Sequence, residues 1–194
     1  MKFDIGNNKP QQLEAGTYQA RIVGVIDIGT QRSEFDGKER FSRQLVLQFE
    51  FPTETFTNDE GQTIARTLGK FYTASLNEKA SLRKHLEQVR GKKFTQEDLA
   101  GFDVKKLLGA LATVSVVLNQ NDKPKIANVS APMKGANPAQ VNPSLYFDLD
   151  AFDAEVYETL PEFYKAIIAD SPEYIRATQK VDIAAIHEEL GNLF

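Results

Sequence analysis

Residues 17–29 read TYQARIVGVIDIG, and residues 43–51 read RQLVLQFEF. In both segments apolar side chains alternate with their neighbours at a period of two, which is typical of β-strands with a core face. The pair Asp36-Gly37 lies between them and favours a tight hairpin, because glycine readily adopts a positive φ. We therefore predict two antiparallel strands, the second ending at Pro52. Gly24 indicates a bulge or a bend in the first strand.

The next part of the chain predicts three more strands and a helical insertion. We expect a third strand within residues 64–74, a fourth over 112–118 and a fifth over 125–130. Asn77 and Thr95 are suited to begin two helices between the third and fourth strands. This order, β-β-β-α-β-β, is that of the OB-fold, a partly open five-stranded barrel that often binds oligonucleotides. The prediction is a mainly β fold with helices (α+β), built on an OB-fold-like barrel.

Charge divides the chain into two parts. Residues 1–135 hold 20 Lys and Arg against 16 Asp and Glu, a net charge of +4, whereas residues 136–194 hold 3 against 11, a net charge of −8. Prolines and glycines in residues 132–144 indicate a linker. We therefore predict a nucleic-acid-binding domain over 1–135 and an acidic, partly helical extension over 136–194. The extension is predicted to contain a short strand and two helices, at residues 145–147, 160–169 and 182–190.

Several classes of function find no support in the composition. The chain has no cysteine, which excludes disulfides, thiolate zinc sites and cysteine nucleophiles. The pattern of a phosphate-binding loop is missing around Gly69-Lys70 and Gly91-Lys92, and His85 and His187 lie far apart in sequence. We expect no export signal and no membrane span, which needs about 18 apolar residues. The expectation is a cytoplasmic protein that is not an enzyme and has no cofactor, no metal and no membrane partner.

Five segments of the sequence resemble a known family. They are FTQEDLAGFDVKKLLG at 94–109, TVSVV at 113–117, IANVSAPMKG at 126–135, LEAGTY at 13–18 and PSLYFD at 143–148. Together they are similar to bacteriophage replication-module proteins that are regarded as OB-fold single-stranded-DNA-binding proteins. The resemblance implies a phage or prophage protein that acts in a bacterial host and binds single-stranded DNA without strong sequence preference. We expect it to act in DNA replication or recombination as a homodimer or a higher oligomer.

Sequence-tolerant binding of single strands combines a basic groove for the phosphates with aromatic faces for the bases. The loop between the first two strands offers both, and OB-folds commonly contact nucleic acid there and at the loop between strands four and five. Phe49 and Phe51 share a face with leucines and are assigned to the core, while either Phe71 or Tyr72 is available for stacking. The predicted DNA-binding residues are Arg21, Arg32, Phe35, Lys38, Arg40, Phe41, Arg43, Tyr72, Lys123 and Lys125.

The last residues, 187–194, read HEELGNLF and allow two interpretations. Many phage and bacterial single-strand binders end in an acidic tail with a terminal phenylalanine that engages replication partners. By that pattern, Glu188, Glu189 and Phe194 are candidate partner-binding residues for phage or host replication and recombination proteins. Only two of the last eight residues are acidic, however, and Gly191 follows an apolar stripe at helical spacing. An ordered helix with Phe194 folded back is therefore the favoured alternative.

Two further functions stay open. The first is an OB-like interaction module whose groove binds its own acidic segment or a partner protein. The second is a divalent-metal nuclease, for which Asp148, Asp150 and Asp153 supply clustered carboxylates. A solvated acidic turn explains these three residues more simply, and fold alone does not decide between the functions.

Overall fold

The computed structural model of the chain describes residues 12–179. They form a mostly β structure of the α+β class, as predicted. The strands are β1 (Gly16–Phe35), β2 (Lys38–Thr57), β3 (Thr63–Thr73), β4 (Leu111–Leu118), β5 (Pro124–Ser130) and β6 (Leu145–Phe147). The helices are α1 (Ser81–Arg90), α2 (Gln96–Leu99), a 3-10 helix at Val104–Leu107, α3 (Ala154–Thr159) and α4 (Glu162–Ala169), and residues 172–179 are also helical. No helix within 12–179 has the length and apolar character to cross a membrane.

The six strands form one sheet. Its order is β3-β2-β1-β4-β5, all antiparallel, and β6 pairs in parallel with the middle of β1. Backbone pairing joins β3 to β5 nowhere in the described chain, so the sheet is open and does not form a closed barrel. The two edges still approach each other, because Nζ of Lys70 on β3 donates to the carbonyl oxygen of Ile126 on β5 at 3.0 Å.

The first hairpin forms at the predicted turn. Asp36 and Gly37 both have positive φ, at 53° and 67°, which suits a two-residue hairpin connection. The prediction that β2 ends at Pro52 is wrong. The pairing of β2 with β3 is interrupted between Phe51 and Thr55, so Pro52 lies in an irregularity where its missing N–H breaks no ladder bond.

Bulges in β1 change which of its residues face each side of the sheet. Its pairing with β2 shifts between Ile22 and Gly24, as the glycine indicated, and again between Asp27 and Gly29. Ile22 therefore packs with Phe49 and Phe51 in one core, whereas Ile26 and its neighbours pack in another. The sequence predicted a single core face, which the bulges do not preserve.

The first core lies between the sheet and the helical insertion. Leu82 and Leu86 of α1 are buried there, and the helix packs mainly on β5 and also on β3 and β4. This helix begins at Ser81 after the capping residue Ala80, three residues later than predicted from Asn77, and it ends at Gly91 in the left-handed conformation. Thr95 caps α2 as predicted, in a reciprocal arrangement with its third residue.

The second core lies on the opposite face of the sheet and is built with the acidic extension. Tyr164 and Ile168 of α4 pack there with Ile26 and Val46. The predicted helix over 160–169 is α4, which begins two residues late because Pro161 occupies its N-cap, and the sequence did not predict α3 before it. Described residues beyond 136 thus form a layer on the sheet. The predicted helix over 182–190 lies outside the described residues, and a domain boundary at residue 135 stays a prediction.

Candidate nucleic-acid interface

The first predicted contact region is a two-stranded ribbon. Residues 30–35 of β1 pair only with residues 38–43 of β2, and we call residues 30–42 the β1–β2 arm. Arg32, Lys38 and Arg40 are exposed on this arm. Three acidic residues share it, however, and Arg32 forms an ion pair with one of them, Glu39. The arm therefore carries no net charge, so it attracts phosphates less than its basic residues alone suggested.

One aromatic side chain on the arm is open to solvent. Phe41 is 67% exposed, and it borders a shallow depression with Ser42 and with Thr73 at the end of β3. The depression connects the arm to the surface of β3. The backbone of Phe35 pairs with that of Lys38 beside the turn, and the structure does not describe the Phe35 side chain. Phe41 is the predicted stacking residue that this geometry favours most.

Arg43 is occupied by carboxylates. Its guanidinium binds Asp27, lies 2.8 Å from Asp150 and is 3.8 Å from Asp148. The hydrogen bond with Asp27 raises the pKa of Arg43, so the group stays charged within this cluster. Three carboxylates around one cation leave no excess positive charge for a phosphate. Arg43 therefore holds the extension to the sheet and is removed from the predicted interface.

Arg21 is also used inside the fold. Its guanidinium donates to the carbonyl oxygens of Pro138 and Gly109, at 2.7 and 2.6 Å, and to the side-chain oxygen of Asn137 at 2.6 Å. These bonds fix part of the predicted linker against β1. Arg21 is a positioning residue of this segment, and we remove it from the interface as well.

A buried carboxylate anchors the same segment. Glu50, which is fully buried, accepts hydrogen bonds from the backbone N–H groups of Val141 and Asn142 at 2.9 and 2.8 Å. The Asn142 side chain in turn pairs with the backbone N–H and carbonyl of Ala65 on β3. Residues predicted as a linker are therefore docked along the sheet.

Tyr72 is predicted to stack on a base, but it faces the core. It is 2% exposed, and its hydroxyl lies 2.9 Å from Nδ1 of His85 on α1. A ring with no exposed face cannot stack on a base, so Tyr72 is corrected to a core residue. Its neighbour Phe71 points to the other side of β3 and is 42% exposed. Alternation along β3 is the signal in the sequence that distinguishes Phe71 from Tyr72, because Leu68 and Tyr72 share one face of the strand and Phe71 lies on the other.

Phe71 lies beside an aromatic group that the sequence did not single out. The ring of Phe163 on α4 is 63% exposed and meets Phe71 edge to face, with centroids 6.3 Å apart. Tyr164 contacts both rings. The acidic extension thus places aromatic surface next to β3.

The second predicted contact region is the turn between β4 and β5. The side chain of Asn119 accepts from the backbone N–H groups of Asn121 and Lys123, at 2.8 and 3.1 Å, which fixes this turn. Lys123 and Lys125 are exposed, and neither forms an ion pair with a carboxylate of the described chain. Their charge is therefore uncompensated, in contrast to that of the arm.

A half-buried lysine extends this basic region toward β3. Burial lowers the pKa of Lys70, and the positive charge of Lys125 lowers it further. Pro124 also borders a groove of about 770 Å³ with Ile64 and Leu68 of β3. The β4–β5 turn thus lies beside one part of β3, and the β1–β2 arm lies at its end.

The remaining predictions concern acidic residues. Asp148 and Asp150 contact Arg43, and Asp153 caps α3 through the N–H groups of Glu155 and Val156. No cluster of three or more histidine or carboxylate side chains in the described chain is arranged to hold a metal. These carboxylates give the nuclease hypothesis no geometric support. Glu188, Glu189 and Phe194 lie outside the described residues.

No protein-family model matches this sequence, and neither does any curated protein.

Proposed function

We propose that this protein binds single-stranded DNA without strong sequence preference and is not an enzyme. The observation that carries the proposal is the arrangement around β3. The arm with Phe41 lies at one end of this strand, and the uncompensated lysines Lys123 and Lys125 lie beside another part of it. Phe71 is exposed on β3 itself. A strand laid along β3 would meet aromatic rings and cations in turn, which is the combination that sequence-tolerant binding needs.

The strand order supports an OB-like fold for this function. In an OB-fold the face of strands two and three, with the loops after strands one and four, contacts oligonucleotides. Here the arm follows β1, the basic turn follows β4, and α1 lies between β3 and β4 in the chain. Lys70 bridges the edges of β3 and β5 by a single side-chain bond. A partly open barrel is the interpretation that we propose for this sheet.

The biological setting rests on the family resemblance. A phage or prophage origin, a cytoplasmic place in the bacterial host and a role in replication or recombination are the setting that we propose. A homodimer belongs to the same proposal. Partner proteins would be engaged by the acidic C-terminus.

One observation favours the second candidate, an interaction module whose groove binds its own segment. Helix α4 lies over the outer face of the sheet, where Tyr164 and Ile168 pack on Val46. This contact is apolar, so we expect its strength to depend little on salt. Because α4 covers this face of the sheet, bound DNA would contact only the exposed edge of β3, where Phe71 lies.

A titration separates the two candidates. Fluorescence anisotropy of a labelled oligo-dT measures affinity at several salt concentrations for the wild type and for Lys123→Ala/Lys125→Ala. Each phosphate contact contributes about 0.7 to the slope of log K against log salt, so losing two reduces the slope by about 1.4. Lys134→Ala is the matched control, because Lys134 is an exposed lysine beyond the far end of β5. An interaction module predicts no binding by the wild type even at low salt.

A further inference from the structure

Two nitrogen-bearing side chains, Lys70 and His85, lie beside Tyr72 where the edges of β3 and β5 approach each other. Nζ of Lys70 lies 3.0 Å from the Ile126 carbonyl oxygen and 5.8 Å from the centre of the Tyr72 ring. The hydroxyl of Tyr72 lies 2.9 Å from His85 Nδ1. Lys125 immediately precedes Ile126 on β5. We call Lys70, His85 and Lys125 the seam cluster.

The seam cluster brings like charges together without a counterion. The charge of Lys125 adds to burial in lowering the pKa of Lys70, and the charge of Lys70 adds to burial in lowering the pKa of His85. Within residues 12–179, no carboxylate pairs with Lys70 or Lys125. Partly buried charges in proteins are ordinarily paired, so such a cluster lowers stability in a way that an anion would relieve.

The donors of the cluster are also available. A lysine ammonium has three N–H donors, and the bond to Ile126 uses one on Lys70. Tyr72 engages Nδ1 of His85 and leaves the other ring nitrogen, Nε2. Because Lys70 is held by β5 and His85 by Tyr72, both groups are positioned before any ligand arrives. A backbone phosphate offers acceptor oxygens to both groups.

We propose that the seam cluster binds one backbone phosphate of the DNA strand, with Lys70 as the central donor. This inference rests on the proposed function and names a residue and a subsite within it. The β4–β5 turn would contact neighbouring phosphates through Lys123, so the DNA strand that lies along β3 would pass over the seam cluster.

The test uses the full chain and two readouts. NMR measures the pKa of His85 alone, with oligo-dT and with inorganic phosphate at the same phosphate concentration. A phosphate bound beside His85 raises its pKa, and we expect this rise with oligo-dT. We also expect Lys70→Met to weaken oligo-dT binding about tenfold, as for the loss of one charge-assisted hydrogen bond, and to reduce the salt slope by about 0.7. Lys125→Met is expected to act in the same direction, and it removes no hydrogen bond of the fold.

The outcomes distinguish this inference from the proposed function. If oligo-dT binds but the pKa of His85 is unchanged and Lys70→Met and Lys125→Met bind like Lys134→Met, the seam cluster is not a subsite, although DNA binding stands. If inorganic phosphate raises the pKa of His85 and oligo-dT does not, the cluster takes free phosphate and the inference is wrong. If the wild type does not bind oligo-dT at all, the proposed function is wrong, and this inference is wrong with it.

Discussion

Thr30 donates both its backbone N–H and its hydroxyl to the carboxylate of Glu173, at 2.8 and 2.7 Å. Thr30 begins the β1–β2 arm, and Glu173 lies in the helical residues 172–179 of the acidic extension. Two hydrogen bonds to one carboxylate fix the base of the arm to the extension. The direction in which the arm leaves the sheet therefore depends on residues more than 100 positions later in the chain.

Stability at acidic pH depends on this contact. Burial raises the pKa of Glu173, but the hydrogen bonds from Thr30 outweigh burial, and the net pKa lies below the ordinary 4.5. Because the folded pKa is depressed, the stabilisation is complete above the unfolded value and is lost as pH falls through the folded value. We expect Glu173→Gln to lower the free energy of unfolding by about 1.5 kcal/mol at neutral pH. In urea unfolding at several pH values the difference from wild type should shrink as pH falls below about 4.5 and vanish below the depressed pKa of the folded state; a constant difference would contradict this account.

Gly29 makes the same junction sensitive to a single methyl group. Its φ is +72°, and a Cβ at this position would overlap the side chain of Ser171. We expect Gly29→Ala to destabilise the protein by about 2–4 kcal/mol, from left-handed strain together with overpacking. Gly37→Ala is the control, because Gly37 has a φ of +67° and a Cβ there would have no atom within 4 Å. It should cost only the backbone strain, about 1 kcal/mol. Equal losses for both variants in urea unfolding would show that Ser171 does not crowd Gly29.

The docked segment after β5 depends on Glu50. Glu50→Ala would leave the N–H groups of Val141 and Asn142 without their acceptor, and we expect a loss of about 2–4 kcal/mol. The freed segment should also become sensitive to protease near residues 137–143. Glu60→Ala on the exposed β2–β3 turn is the control and should change stability by less than about 0.5 kcal/mol. Unchanged proteolysis of Glu50→Ala would mean that other contacts, such as those of Arg21, suffice.

The aromatic side chain on the arm gives a prediction about binding alone. Phe41 is 67% exposed, so Phe41→Ala should leave the free energy of unfolding within about 0.5 kcal/mol of wild type. Loss of one stacked base should weaken oligo-dT binding by about 1–3 kcal/mol, measured by anisotropy. Met133→Ala removes another exposed apolar side chain and should bind normally. Normal binding by Phe41→Ala would exclude stacking at the arm.

The local features of the fold could be predicted because each has a local cause. Alternation identified the strands, and the Asp36-Gly37 pair identified the hairpin. What the sequence alone could not reveal is what covers the second face of the sheet. Ile26 and Phe147 share a core although they are distant in sequence, and no periodic pattern encodes such a contact. The packing of the extension on β1 and β2 therefore could not be predicted from the sequence.

Only part of the candidate interface could be predicted, because contacts between residues distant in sequence decide the rest. Lys123 and Lys125 are exposed as expected because a tight polar turn leaves its side chains in solvent. Arg21 and Arg43 were misassigned because their partners, such as Pro138 and Asp150, come from residues more than 100 positions away. A basic residue in a sequence shows its charge but not the carboxylate or carbonyl that the fold brings to it.

The most direct test of the central claim compares three ligands on the wild-type chain. Anisotropy titrations with labelled oligo-dT, the corresponding duplex and an oligo-rU, each at low and high salt, measure whether a single strand is preferred. We predict that oligo-dT binds more tightly than the duplex and that its affinity falls linearly with the logarithm of salt concentration. No binding of oligo-dT at low salt, or equal binding of the duplex, would contradict the proposal that this protein binds single-stranded DNA.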